Sequence, residues 1–192
     1  MATSAPETAF LDANVLYPAL LRNVMMYFAV ARLYRPLWSD AVHAEWMTAV
    51  RCDHPDLTER QIARTRRLMT EHVPDATVTG YEKLVDRLKL PDANDRHVLA
   101  AAIHGRASVI VTWNLKHFPA KALKPHSISA QSPDVFLSTL IGRHEDDAIA
   151  ELRDLRLQLK APPYSAQDLL TGLERQKLTK TVALLRPMVG RL

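Results

Sequence analysis

The stretch "DANDRHVLAAAIHGRASVIVTWN", residues 92–114, changes character at Gly105. Ahead of the glycine, an alanine-rich apolar run predicts a helix that begins at Asp92 or Asn94 and stops at Gly105. Beyond it "SVIVTW", residues 108–113, is short and β-branched, the strongest strand signal in the chain. A helix that feeds a strand of this kind is the repeating unit of a parallel sheet flanked by helices.

The same alternation extends in both directions. "TAFLDANVL", residues 8–16, opens as a buried-type strand that stops at Asp12, and Pro18 precedes a helix over "ALLRNVMMYFAVARLY" that ends before Pro36. Leu37 and Trp38 form a short strand, Ser39 is a good N-cap, and a helix follows to about Arg51. "DLTERQIARTRRLMTEH" is a further helix capped by Thr58, with Glu59 in its first turn, and residues 75–90 read as a loop and one short helix. "HSISAQSPDVFLSTLI" is a brief strand and then a helix from near Pro133. After about residue 142 the strands stop. "RHEDDAIAELRDLRLQL", "SAQDLLTGLERQ" and "TKTVALLRPMV" are helical, with the break "KAPPY" at Lys160–Tyr164. The expected organisation is an α/β domain over 1–142 and an α-helical C-terminal extension over 143–192.

A chain of 192 residues is long enough for one main core with a small appendage. The hydrophobic share of 47% and charged share of 24% are those of an ordinary soluble domain. A net charge of +4 and a pI near 9.3 suit a polyanionic partner without demanding one. Cys52 is the only cysteine, so there is no intramolecular disulfide and no cysteine-rich zinc module; it reads as a small apolar residue in a reducing compartment. "MATSAPETAF" lacks the basic and apolar regions of a signal peptide, and no apolar run approaches the roughly 20 residues that span a bilayer. The expected location is the cytoplasm.

In open α/β sheets, ligands bind at the carboxyl ends of the strands. Asp12 closes the first strand and Asn114 follows the "VIVT" strand, so both belong on that rim. Glu45 lies about two turns into the helix that starts near Ser39, and Asp95 lies in the first turn of the alanine-rich helix. If these helices point their N-terminal halves at the rim, three carboxylates meet there and repel unless a cation neutralises them. A hard divalent ion such as Mg²⁺ is held in this way, and it supplies the chemistry that hydrolyses a phosphodiester. Each residue also has a plain reading. Asp12 suits a turn, Glu45 a solvated helix face, and Asp92 and Asp95 the N-terminus of a helix, where acids cap amides. Arg60, Arg64 and Arg67 share one helical face, which is either solvated or a contact for phosphates. The histidines show no zinc motif, and His97 and His104 suit ordinary packing or exposure.

Taken in order, "FLDANVL", "HAEW", "DANDRHVLAAAI" and "VIVTWNLKHF" resemble the PIN-domain ribonucleases, especially VapC-type toxins of type II toxin–antitoxin pairs, over roughly residues 8 to 140. The resemblance implies a three-layer α/β/α PIN-like fold with a central parallel sheet. It places Asp12, Glu45 and Asp95 at the family's acidic metal-binding positions and Asn114 at the fourth, where an amide suits orienting a water or a carboxylate better than ligation. Asp92 matches an extra acid of a "PD-x-x-D" subset, as a metal ligand or beside one. Asn14, Arg96 and Thr112 are candidates for contact with substrate or ligands, and His117 falls where many relatives carry an acid. The implied reaction is endonucleolytic RNA cleavage by water activated on Mg²⁺ or Mn²⁺, leaving a 5′-phosphate and a 3′-hydroxyl. The implied partners are RNA, a cognate antitoxin protein and a second copy of the chain, docked through apolar helices such as "NVMMYFAVARLY". Two other functions compete: a phosphohydrolase of the haloacid-dehalogenase kind, for which Asn14 stands where a second acid is needed, and a catalytically silent binding module.

Overall fold

The computed structural model describes residues 6–160 and 162–192; the first five residues of "MATSAPETAF" and Ala161 of "KAPPY" lie outside the described residues. In chain order the elements are β1 (Thr8–Leu11), α1 (Ala13–Leu16), α2 (Ala19–Val30), β2 (Arg35–Leu37), α3 (Asp40–Asp53), α4 (Glu59–His72), α5 (Glu82–Val85), α6 (Arg96–His104), β3 (Val109–Val111), α7 (Ala120–Leu123), β4 (Ser129–Gln131), α8 (Pro133–Arg143), α9 (Glu145–Gln158), α10 (Ala166–Arg175) and α11 (Thr179–Leu185). They form two compact units. One combines the N-terminal residues through Tyr17 with Tyr34–Ser132, and the other joins Pro18–Leu33 to Pro133–Leu192.

The first unit is built on a four-stranded sheet in the order β2-β1-β3-β4, with every pairing parallel. Ala9, Phe10 and Leu11 pair with Val109, Ile110 and Val111, and all six are fully buried. Burial on both faces explains why these two strands read as unbroken apolar runs rather than as an alternation. The edge strands are more exposed, and Ser129 lies open to solvent. Because all four strands run the same way, their carboxyl ends form one rim, carrying Asp12, Trp38, Thr112 and Ser132 immediately beyond the last strand residues.

Local chemistry sets the helices around this sheet. Ser39 caps α3 by accepting from the Val42 amide, and Thr58 caps α4 in a reciprocal box with Gln61. Gly105 ends α6, but its φ of −76° is one that any residue adopts, and the left-handed residue is Arg106, at φ 57°. The glycine is required by close approach instead: a Cβ there would lie 2.6 Å from Leu37 Cδ1 and 2.9 Å from Val78 Cγ2. Cys52, read from sequence as a small apolar residue, lies on an exposed face of α3.

The second unit is helical. α8 packs on α9 and α11, and α2 packs on α9 and α10. α8 therefore groups with the C-terminal helices, although a division at residue 142 leaves it with the sheet. α2 stops at Val30, short of the span read from sequence, and Arg32 at φ 60° turns the chain out of the helix. Val24, Met25, Phe28 and Ala29 of α2 are buried, and Val30 is about half exposed. α11 starts without a side-chain cap of its own; the buried Asp134 of α8 accepts from the Lys180 and Thr181 amides at 3.0 and 2.9 Å. No helix among the described residues is long and apolar enough to cross a membrane.

Two stability predictions follow from these contacts. Asp134→Ala leaves amides of the α11 N-terminus unsatisfied and is expected to cost about 2 kcal/mol in chemical denaturation; an unchanged midpoint contradicts this. His43, buried between Trp38 and Trp46, accepts from the Trp46 indole N–H at 2.9 Å, and its Nε2 has no hydrogen-bond partner among the described residues. Burial, with the Arg66 charge adding to it and Asp40 opposing, pushes the ring from its ordinary 6.5 down to about 4. Between those values the unfolded chain binds a proton that the folded chain does not. Stability should fall as pH drops through that window, by roughly 1.4 kcal/mol per unit. In His43→Gln, urea midpoints at pH 5 and pH 7 should lie closer together than in the wild type.

Candidate metal centre and active site

Asp12 is the fixed point of the rim. Its backbone amide continues the central ladder by donating to the Val111 carbonyl at 3.1 Å, and its side chain caps the short helix α1. Oδ1 accepts from the Ala13 amide at 2.7 Å; Oδ2 accepts from the Thr112 hydroxyl and from Asn14 Nδ2, each at 2.6 Å. Asn14 is itself held, donating also to Thr112 Oγ1 at 3.1 Å and accepting from the Trp113 amide through Oδ1, again at 3.1 Å. Thr112 Oγ1 accepts in turn from the Asn114 amide at 3.0 Å. Thus Asn14 and Thr112 lock the Asp12 carboxylate, while Asn114 joins this network through its backbone.

Asp12 is 4% exposed, and Thr112 is fully buried. Burial raises the Asp12 carboxyl above its ordinary range; the Thr112 and Ala13 hydrogen bonds pull it back, and the charges of Asp95 and Glu45 push it up again. Asp95, at the start of α6, and Glu45, on α3, are therefore within electrostatic reach of Asp12, which follows β1. His97, in the first turn of α6, lies among them. Its Nε2 meets Glu45 Oε1 at 2.8 Å. Burial opposes the ring's protonation, but the Glu45 hydrogen bond and the charges of Glu45, Asp12 and Asp95 outweigh it and raise its pKa.

The acids at the start of α6 divide the work that the sequence left open between them. A 3₁₀ turn, Ala93–Asp95, precedes the α-helix, and Asp92 caps that turn by accepting from the Asn94 amide at 2.9 Å. Asp95 occupies the N-cap position of α6, yet its side chain makes no capping bond. It meets His117 Nδ1 at 2.6 Å instead, and Asp92 Oδ2 lies 3.9 Å from the same nitrogen. Asp92, Asp95 and His117 offer three ligand atoms within 4.8 Å of one another. Arg96 folds back, donating from Nε to the Ala93 carbonyl at 2.9 Å. Arg60, Arg64 and Arg67 are exposed on α4, and Arg67 pairs with Glu71.

Sequence reasoning missed both histidine pairs. His117 ends the 3₁₀ turn Leu115–His117 that follows β3, and its signal was position, three residues beyond Asn114 on the same rim. His97 had no such signal, because its partner Glu45 belongs to another helix. Chemically, the rim suits a divalent cation: its donors are carboxylate oxygens and imidazole nitrogens, and the mutual repulsion at Asp12 is what a positive ion relieves.

His97 makes the stability of the unit depend on pH. Because its folded pKa is raised, its contribution to stability is fully present below the ordinary value of 6.5 and is lost as pH rises through the higher folded value. In metal-free protein, His97→Gln should reduce the fall in melting temperature over that window. Parallel curves for variant and wild type would contradict the assignment.

The profile of a family described as PIN domain matches residues 8–116, more than half of the chain, and that of a family described as VapC50 C-terminal domain matches residues 133–187. A curated relative from Mycobacterium tuberculosis (strain ATCC 25618 / H37Rv), named "Putative ribonuclease VapC50", is 42% identical over 97 residues. That alignment takes in 50% of this chain and 57% of the relative, so the chain spans little more than half the length of the curated protein it matches. No solved structure matches. The fold is accordingly the three-layer α/β/α architecture with a parallel sheet and additional C-terminal helices, and the chain belongs to the PIN-domain family.

Proposed function

We propose that this chain is a metal-dependent endoribonuclease and the toxin of a bacterial toxin–antitoxin pair. The observation that carries the reading is a buried carboxylate, Asp12, at the carboxyl rim of a parallel sheet, its pKa raised by its burial and to a smaller degree by the charges of Asp95 and Glu45. Membership of the PIN-domain family and the name of the curated relative support the same reading.

In this proposal Asp12, Glu45 and Asp95 hold Mg²⁺ or Mn²⁺, with Asp92 beside them. A cation bound there lowers the pKa of a water and stabilises charge on a phosphoryl oxygen. The chain's own residues do the positioning. Thr112 and Asn14 fix the orientation of Asp12, so the site needs little reorganisation when substrate arrives. Asn114, whose amide is anchored on Thr112, keeps its side chain for a water or a phosphate. Arg96, on the first turn of α6, is a candidate contact to the RNA backbone. Water adds to phosphorus and the bond to the 3′ oxygen breaks, leaving a 5′-phosphate and a 3′-hydroxyl.

The geometry disfavours a nucleophilic aspartate of the haloacid-dehalogenase kind. Both oxygens of Asp12 accept hydrogen bonds, and Asn14 offers an amide where that chemistry needs an acid. RNA as substrate, an antitoxin partner, a homodimer and a cytoplasmic location complete the proposal. So does the division of the chain into a nuclease domain, 1–142, and a helical extension, 143–192, whose helices pack with α2 and α8 of the preceding sequence.

Purified protein should cleave structured RNA with Mg²⁺ or Mn²⁺ and lose all but on the order of a thousandth of its activity in Asp12→Ala or Asp95→Ala. Circular dichroism of each variant checks that it is folded. Equal cleavage by all three proteins would overturn the assignment, as would phosphate release from small phosphomonoesters with RNA left intact.

A further inference from the structure

The acidic residues named so far make a site for hard cations, but the atoms at the start of α6 are not all oxygens. His117 Nδ1 lies 2.6 Å from Asp95 Oδ2 and 3.9 Å from Asp92 Oδ2, and the ligand atoms of the three residues lie within 4.8 Å of one another. A cation bound through ligand distances of roughly 2.0–2.2 Å spans a triangle of this size with small side-chain adjustments. The side chains of Asp95 and His117 are about one-fifth exposed and that of Asp92 about two-fifths, so the group is shielded and open to an ion from solvent. The ring is also well placed. It ends a one-turn 3₁₀ segment directly after β3, whose start is tied to the central sheet through Asn114 and Thr112.

We infer that His117 is a metal ligand, joining Asp95 and Asp92 in a mixed oxygen and nitrogen site that selects a first-row transition ion of the Mn²⁺ or Zn²⁺ class over Mg²⁺. Mg²⁺ is bound through oxygen and keeps its waters, whereas imidazole suits the transition ions. Asp92 takes part through Oδ2, which leaves Oδ1 to cap the Asn94 amide. One carboxylate thus orders the turn and faces the ion. Asp95 is shared with the rim described above, and to that extent the inference rests on reading that rim as a cation site.

The test measures binding apart from cleavage. Mn²⁺ is titrated into wild type, His117→Ala and His117→Asp while the electron paramagnetic resonance signal of the free ion is followed, and Mg²⁺ is then added as competitor. Wild type should hold Mn²⁺ against excess Mg²⁺. His117→Ala should lose at least about tenfold in Mn²⁺ affinity with little change toward Mg²⁺, and His117→Asp should narrow the preference by gaining affinity for Mg²⁺. A measurement on wild type alone removes dependence on variant folding: added Zn²⁺ should move the ¹⁵N resonance of His117 Nδ1 into the metal-bound range. Unchanged Mn²⁺ affinity in His117→Ala, or an unmoved Nδ1 resonance at saturating Zn²⁺, overturns the inference. RNA cleavage supported equally by both ions and retained in His117→Ala would sink this site and leave the nuclease reading standing. Ion binding through His117 with no cleavage of any RNA would do the reverse.

Discussion

The buried hydrogen bond from the Thr112 hydroxyl to Asp12 Oδ2, 2.6 Å long, joins the residues that leave the two central strands. It forms because β1 and β3 are parallel neighbours in a register that ends both at the same level, with Leu11 opposite Val111. The amide of Asp12 still belongs to the ladder, while its side chain already belongs to the rim. The orientation of the carboxylate is thereby set by the two central strands of the sheet. Every other group in the candidate site is placed relative to that point by a helix or turn starting at the same edge.

Holding a carboxylate in this way is electrostatically costly. Burial and two neighbouring negative charges all disfavour its ionised form, and hydrogen bonds from Thr112 and Ala13 offset them. Groups kept against such a cost are more often found at working sites than in inert cores. The two histidine pairs fit the same picture: His97 against Glu45 and His117 against Asp95 set basic rings beside acids that would otherwise face one another. At His43, burial and the Arg66 charge outweigh Asp40, and the ring is driven neutral. The contrast between His97, which is raised, and His43, which is lowered, shows that environment rather than residue type sets how readily a ring is protonated.

Much of this is legible in the sequence. Ala9–Leu11 and Val109–Val111 are buried on both faces, so their apolar runs stand out and the polar residues that end them are conspicuous. Glu45 and Asp95 could be placed because the helix starts at Ser39 and near Asp92 follow from capping chemistry. What stayed hidden depends on contacts across elements or on a few degrees of backbone. The Glu45–His97 pair requires knowing how α3 faces α6. The separate fates of Asp92 and Asp95 depend on a single 3₁₀ turn, which moves the helix start so that one acid caps and the other is left to meet His117. The grouping of α2 with the C-terminal helices rests on contacts far apart in sequence.

Asp95 adds its charge to the burial that already disfavours ionised Asp12, and in the proposed function a cation bound between the two relieves that repulsion. A double-mutant cycle of Asp12→Asn and Asp95→Asn, read in denaturant stability with and without saturating Mn²⁺, measures that coupling directly. Without the ion the coupling should be repulsive, so that removing both charges stabilises less than the sum of the single changes; with the ion it should reverse sign. Additive effects in both conditions would contradict the account.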